Sequence, residues 1–140
     1  MSATWTTRSA HDMAAAVRSG ETSATELVTQ SLQRIADTDV RVNAFTNVVA
    51  ERALAEAAAL DDRLSIGNRA ALDALPLLGV PFAVKNLFDV RGLPTLAGST
   101  IERDSAPASH DAVLIERMEA AGAILVGALN MDEYAYGFTT

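Results

Sequence analysis

The chain has 140 residues and a mass of 14.7 kDa; 49% of its residues are apolar and 21% charged, values that exclude a disordered or fibrous protein and suffice for one sizeable core. A formal charge of −7, with the arginines scattered singly, argues against a nucleic-acid partner. No apolar run approaches the roughly 20 residues of a membrane span, the opening residues lack a signal-peptide layout, and the absence of cysteine excludes disulfide and thiolate chemistry. A soluble, cytoplasmic protein is therefore expected.

In chain order, residues 9–18 read as a short helix stopped by Gly20, which suits the left-handed conformation of a C-terminal cap. Ser23 and Glu26 form a capping-box pattern, followed by Leu27, Val28, Leu32 and Ile35 on one helical stripe. Asp37, Thr38 and Asp39 are expected to break that helix. Residues 42–49 read as a short strand. Residues 50–64 read as an alanine-rich helix whose stripe, Leu54, Ala57, Ala58 and Leu64, is poor in large side chains and calls for close packing against a neighbour. Ile66, Gly67 and Asn68 make a turn.

Residues 80–85 and 123–128 then read as buried strands, separated by a helix over residues 112–121. Asp111 is placed to cap that helix, Gly122 to end it, and Leu114, Met118 and Ala121 form its apolar face. Strand, helix, strand is a crossover unit with two parallel strands. The expected fold class is α/β within one domain: helical over residues 1–65, with the start of an α/β core over residues 66–140. The connection over residues 86–110 is 25 residues long without clear periodicity, a length that in compact domains often carries function.

Ten of the eleven basic residues are arginine; the single lysine, Lys85, ends the apolar run that begins at Leu77. In a strand, Val80, Phe82 and Val84 point one way and Pro81, Ala83 and Lys85 the other. Lys85 thus lies near a strand's carboxyl end, where open parallel sheets form ligand sites. Partial burial there would lower its affinity for a proton and make it a usable base; the alternative is a strand-end lysine reaching water. The segment from Asn130 to Thr140 follows the second strand and holds both tyrosines, as either a pocket wall or a loop whose aromatics fill the core. Asp132 and Glu133 could bind a cation or simply favour a helix start. His11 and His110 show no metal-ligand spacing, and no nucleophile elbow, dinucleotide fingerprint or Walker loop occurs. No metal and no cofactor are expected.

The run from Leu78 to Asn86, then Gly92-Leu93-Pro94-Thr95, Ala97-Gly98-Ser99, Asp111-Ala112, the run from Glu119 to Ala123, and Asn130-Met131-Asp132-Glu133, resemble in order the N-terminal part of the amidase signature family. The resemblance covers residues 23–140. It implies amide hydrolysis by a serine nucleophile, a second serine in a cis peptide, and a lysine that falls on Lys85. It also implies that Tyr134, Ala135 and Tyr136 line the acyl side of a substrate pocket. The family's glycine- and serine-rich segment would follow residue 140, so Ser65, Ser99, Ser105 and Ser109 are not nucleophiles and these residues alone are expected to be inactive. Asn86 stands where aspartate is commoner.

Within the family, residues 86–90 and 128–140 are similar to the branch that hydrolyses 1-carboxybiuret, more than to the amide-hydrolysing component of glutamine-dependent amidotransferases. That branch implies a small amide substrate and a small accessory subunit; it also admits a homo-oligomer of the intact protein. Two other readings of Lys85 remain at this point: a Schiff-base lysine, or a bystander in an interaction module whose residues 23–64 bind a partner.

Overall fold

The computed structural model describes residues 5–67 and 69–137. Helix α1 (Ala10–Ser19) starts where the Ser9 hydroxyl accepts the Asp12 amide at 3.1 Å, and ends at Gly20 with φ 78°. Helix α2 (Ala24–Val42) begins at the expected cap: Ser23 Oγ accepts the Glu26 amide at 3.0 Å. The Asp61 carboxylate accepts two further free amides of this helix, those of Ala24 and Thr25, at 2.8 and 2.9 Å.

The predicted break at residues 37–39 does not occur, and α2 continues to Val42. Each polar side chain finds a local partner that leaves the helix intact. Gln33 donates to Asp37 at 2.9 Å and Thr38 donates to the Arg34 carbonyl at 2.7 Å. Asp39 acts at the end instead, accepting the amides of Ala44 and Phe45 at 2.6 and 3.2 Å while Asn43 takes the left-handed conformation.

Strand β1 (Phe45–Val48) is shorter than the expected strand and leads into α3 (Ala50–Ser65). The buried face of α3 is Ala53, Ala57 and Leu60, with Leu64 partly buried. Leu54 and Ala58, assigned to that face from sequence, are exposed. Ala53 and Ala57 are fully buried in one cluster with Leu27 and Val28 of α2, so the small side chains do serve close helix packing. A short helix α4 (Arg69–Asp73), absent from the sequence reading, adds Leu72 to the same core. Of the predicted turn, Asn68 lies outside the described residues.

Strand β2 (Pro81–Lys85), helix α5 (Val113–Ala120) and strand β3 (Ile124–Leu129) make the expected crossover, with β2 parallel to β3. Strand β1 pairs with the other edge of β3 in the antiparallel sense, giving a mixed sheet in the order β1-β3-β2. The fold is α/β. Gly127 permits the approach of β1: a Cβ there would lie 2.5 Å from the Asn47 carbonyl oxygen and 2.8 Å from the Phe45 ring.

The apolar run of β3 serves two cores. Ile124 and Val126 join the helices α1–α3, while Leu125 joins Phe82, Val84, Val90 and Ile115 on the other face. Val80 precedes β2 and sits in the first cluster with Ala83, not with Phe82 and Val84 as strict alternation suggests. Helix α5 presents Ile115, fully buried, whereas Leu114 of the expected face is exposed. Asp111 does not cap α5; Ala112 occupies the cap position and makes no side-chain hydrogen bond to the helix. Among the described residues no helix is long and apolar enough to cross a membrane.

Candidate functional site

The carboxyl ends of β2 and β3 lie side by side, Lys85 opposite Leu129. The next residue, Asn86, is 2% exposed and uses all of its polar groups. Its amide donates to the Leu129 carbonyl at 2.9 Å, and its own carbonyl accepts the Ala97 amide at 2.8 Å. Its side chain accepts the Leu96 amide at 3.0 Å and donates to Thr46 Oγ1 at 2.7 Å. The Thr46 hydroxyl in turn donates to the Ala128 carbonyl at 3.2 Å. Because that hydroxyl proton is committed, an amide donor matches this position better than a carboxylate. This gives a physical reason for Asn86, which sequence reading noticed only as a departure from the family pattern.

Asn86 thereby hangs the long loop over the strand ends, where it meets the segment after β3. Ala97 and Gly98 have φ of 47° and 70°, and the Ala97 carbonyl accepts the Tyr134 amide at 2.7 Å. Gly98 lies flush on that segment: a Cβ would be 2.5 Å from the Met131 carbonyl oxygen and 2.8 Å from Asp132 backbone atoms. Ser99, 5% exposed, donates to Glu133 Oε1 at 2.7 Å and accepts the Ile101 amide at 3.2 Å. Tyr134 and Ala135 have φ of 50° and 57°. Such conformations cost non-glycine residues on the order of 1–3 kcal/mol each and concentrate at functional sites. Ala97, Tyr134 and Ala135 place three of them in two touching segments.

Lys85 faces this clasp. Its Nζ lies 3.3 Å from Asp132 Oδ1; the lysine side chain is 41% exposed and that of Asp132 14%. The lysine is thus wetter than sequence reading supposes. Burial pushes the Asp132 carboxyl upward, but the Lys85 ammonium and the backbone amides of Asp132 and Gly137 outweigh it and hold the group below the usual carboxylate range. Asp132 and Glu133 have separate partners, Lys85 and Ser99, and among the described residues no cluster of potential metal ligands occurs.

Tyr134 is half-exposed and donates its hydroxyl to Glu102 Oε1 at 2.9 Å; Ala135 is exposed, and Tyr136 is 95% exposed. The tyrosines do not fill the core. Hydrogen bonds from Ser105 and Tyr134 hold the Glu102 carboxyl below its ordinary range. Phe138, Thr139 and Thr140 lie outside the described residues. His11 and His110 are exposed, and His110 Nδ1 is 3.0 Å from its neighbour's hydroxyl, Ser109 Oγ. A hollow of about 260 Å³, lined in part by Glu56, Arg63, Leu75 and Glu119, lies at the opposite end of β3.

Sequence reading missed the ionic cluster that holds the loop base. Arg52 of α3 grips Asp111 with both terminal nitrogens, at 3.0 and 2.9 Å, and also binds Glu56 and Glu119. Asp111 additionally accepts the Arg91 amide at 2.8 Å. Burial raises the Asp111 carboxyl, yet the arginine fork and that amide bring it below its ordinary range. Burial raises Glu119, and the neighbouring carboxylates of Glu56 and Asp111 reinforce the rise against Arg52, leaving it above its ordinary range. An arginine near the start of an alanine-rich helix is the available signal, but two of its three carboxylate partners are 59 and 67 residues away.

The amidase family matches the chain over residues 26–140. AtzE of Pseudomonas sp. (strain ADP), part of a 1-carboxybiuret hydrolase, is 53% identical over 124 residues, which is 89% of this chain and 26% of that protein. A glutamyl-tRNA(Gln) amidotransferase component of Anaeromyxobacter dehalogenans (strain 2CP-C) is 51% identical over 115 residues, 82% of this chain and 22% of that protein. Among solved structures, a chain from a vestigial protein complex bearing on the origins of an s-triazine catabolic enzyme superposes with a TM-score of 0.88 at 50% identity, covering 95% of this chain and 28% of that one. The peptide amidase of Stenotrophomonas maltophilia superposes with a TM-score of 0.82 at 32% identity, covering 94% of this chain and 26% of that one. The chain spans about a quarter of the length of the curated relatives it matches. Its ordered motifs, its mixed sheet and these likenesses agree: the chain belongs to the amidase signature family.

Proposed function

We propose that this chain is the N-terminal part of an amidohydrolase that cleaves the carbon–nitrogen bond of a small amide through a serine acyl-enzyme, with Lys85 as the base. The observation that carries the reading is the position of Lys85. The only lysine of the chain stands at the carboxyl end of a parallel strand, beside a strained clasp, in the motif where the family has its catalytic lysine. Both serines belong to a segment following residue 140, so residues 1–140 alone turn over no amide. Neutral Lys85 takes a proton from the bridging serine, which takes one from the nucleophilic serine as its oxygen attacks the carbonyl. The tetrahedral intermediate collapses, the nitrogen leaves with a proton returned along the same relay, and water then releases the acid and restores the serine. Tyr134, Ala135 and Tyr136 line the acyl side of the substrate site.

The substrate is 1-carboxybiuret, a reading supported by the 53% identity to AtzE and by the sequence of residues 86–90 and 128–140. Glutamine hydrolysis in an amidotransferase is the second reading, supported by the 51% identical relative. In either case the intact protein is cytoplasmic, works with a small accessory subunit, and can self-associate. Ammonia release by the purified intact protein from 1-carboxybiuret and from glutamine tests the proposal. Release from 1-carboxybiuret at least tenfold faster than from glutamine is expected; the reverse order selects the amidotransferase reading, and turnover of neither contradicts both.

A further inference from the structure

We propose that Asp132 is a positioning residue for Lys85, its carboxylate accepting a hydrogen bond from Nζ and so holding that nitrogen at the strand ends from within the clasp of residues 97–99 and 131–137. The inference rests on the reading of Lys85 as the base and names the group that aims it.

Three independent features converge on this carboxylate. It lies 3.3 Å from Lys85 Nζ although the two residues are 47 apart in the chain. Its backbone is clamped from one side by Gly98, which sits so close to the Met131 and Asp132 main chain that no side chain fits between them. On the other side, the left-handed Tyr134 and Ala135 turn the chain back on itself: the Ala135 amide donates to the Asp132 carbonyl at 3.0 Å. This return brings Gly137 against the side chain: a Cβ there would stand 3.1 Å from Asp132 Cβ and 3.3 Å from Oδ2.

Stability alone does not account for such a construction. A partly exposed lysine–carboxylate pair is worth little in water, whereas the backbone conformations around it are unfavourable ones. The arrangement has a clear use if the lysine must present its nitrogen along one direction. A lysine side chain has many rotamers, and a misplacement of about 1 Å costs a catalytic group roughly 100-fold. Asp132 has no other cationic side chain paired with it among the described residues, and Glu133, the adjacent carboxylate, is turned to Ser99.

The test uses the intact protein and whichever of 1-carboxybiuret or glutamine it hydrolyses faster, and compares Lys85→Ala, Asp132→Asn and Gly137→Ala. Asp132→Asn removes the charge and is expected to lower kcat at least tenfold on the alkaline plateau of the pH–rate profile while KM stays within about threefold and the thermal midpoint is unchanged. Gly137→Ala leaves every charge in place. Its Cβ would stand 3.1 Å from Asp132 Cβ and 3.3 Å from Oδ2, so the carboxylate must shift by a few tenths of an ångström. Gly137 is exposed, and kcat is expected to fall several-fold with KM unchanged.

A folded Asp132→Asn protein with kcat within twofold of the wild type overturns the proposal, as does a loss confined to KM. Should Asp132→Asn lower the thermal midpoint, Gly137→Ala decides: a several-fold fall in kcat supports the proposal and a value within twofold of the wild type overturns it. The underlying reading fails separately. An inactive Lys85→Ala beside an unimpaired Asp132→Asn leaves Lys85 as the base and removes only Asp132's role, whereas a fully active Lys85→Ala removes both.

Discussion

Gly98 shows how little room the strand-end clasp leaves. Alanine there would add a Cβ 2.5 Å from the Met131 carbonyl oxygen at a left-handed φ of 70°, so the loop must part from the segment bearing Asp132. Gly98→Ala in the intact protein is expected to lower kcat at least tenfold and to weaken protection of the Tyr134 amide, which hydrogen exchange would read. The Arg52 cluster offers a contrast at the same scale. The folded-state Asp111 carboxyl lies below its unfolded value, so its contribution is complete above the ordinary carboxylate range and is lost as pH falls through the depressed value. Glu119 is raised, so its contribution is complete below the ordinary range and is lost as pH rises through the elevated value. Asp111→Asn is therefore expected to cost about 1–3 kcal/mol at pH 7, with the difference shrinking in acid, whereas Glu119→Gln is expected to cost little. Urea unfolding of both variants at pH 7 and pH 4 checks the pair. Lys85 was legible in the sequence because one lysine among ten arginines is conspicuous. Asp132 as its partner was not, since nothing local relates residues 47 apart.

The elements were largely legible where local chemistry decides them. Ser9, Ser23 and Gly20 mark helix ends through side-chain caps and a left-handed turn that need only neighbouring residues. Helix faces were less so. In α5 both Leu114 and Ile115 are apolar, and only docking against Leu125 and Val90 selects Ile115 as the buried one. In α3 an alanine-rich surface gives weak contrast between faces, so the sequence points Leu54 inward while Ala53 is the buried residue. The choice has an energetic counterpart. Ile115→Ala is expected to destabilise the intact protein by about 2–5 kcal/mol and Leu114→Ala by under about 0.5 kcal/mol, as thermal or urea unfolding would show. The break expected at residues 37–39 failed for a different reason: polar residues favour helix ends only when their side chains compete for the backbone, and here each bonds without displacing it.

At the scale of the whole molecule, β3 is buried on both faces by apolar clusters, while β1 and β2 each present an edge with no strand partner among the described residues. Edges of this kind pair with other chains when left uncovered. Residues 1–140 expressed alone are expected to self-associate and to lack a sharp thermal transition, which calorimetry and light scattering would report. Lys85 is the proposed proton relay of an amide-hydrolysing site. The most direct test of that role is the rate of ammonia release by the intact protein with Lys85 replaced by alanine. The expected result is a fall in kcat on the order of 10²–10⁴-fold with the fold intact, and a rate within twofold of the wild type would contradict a relay role for Lys85.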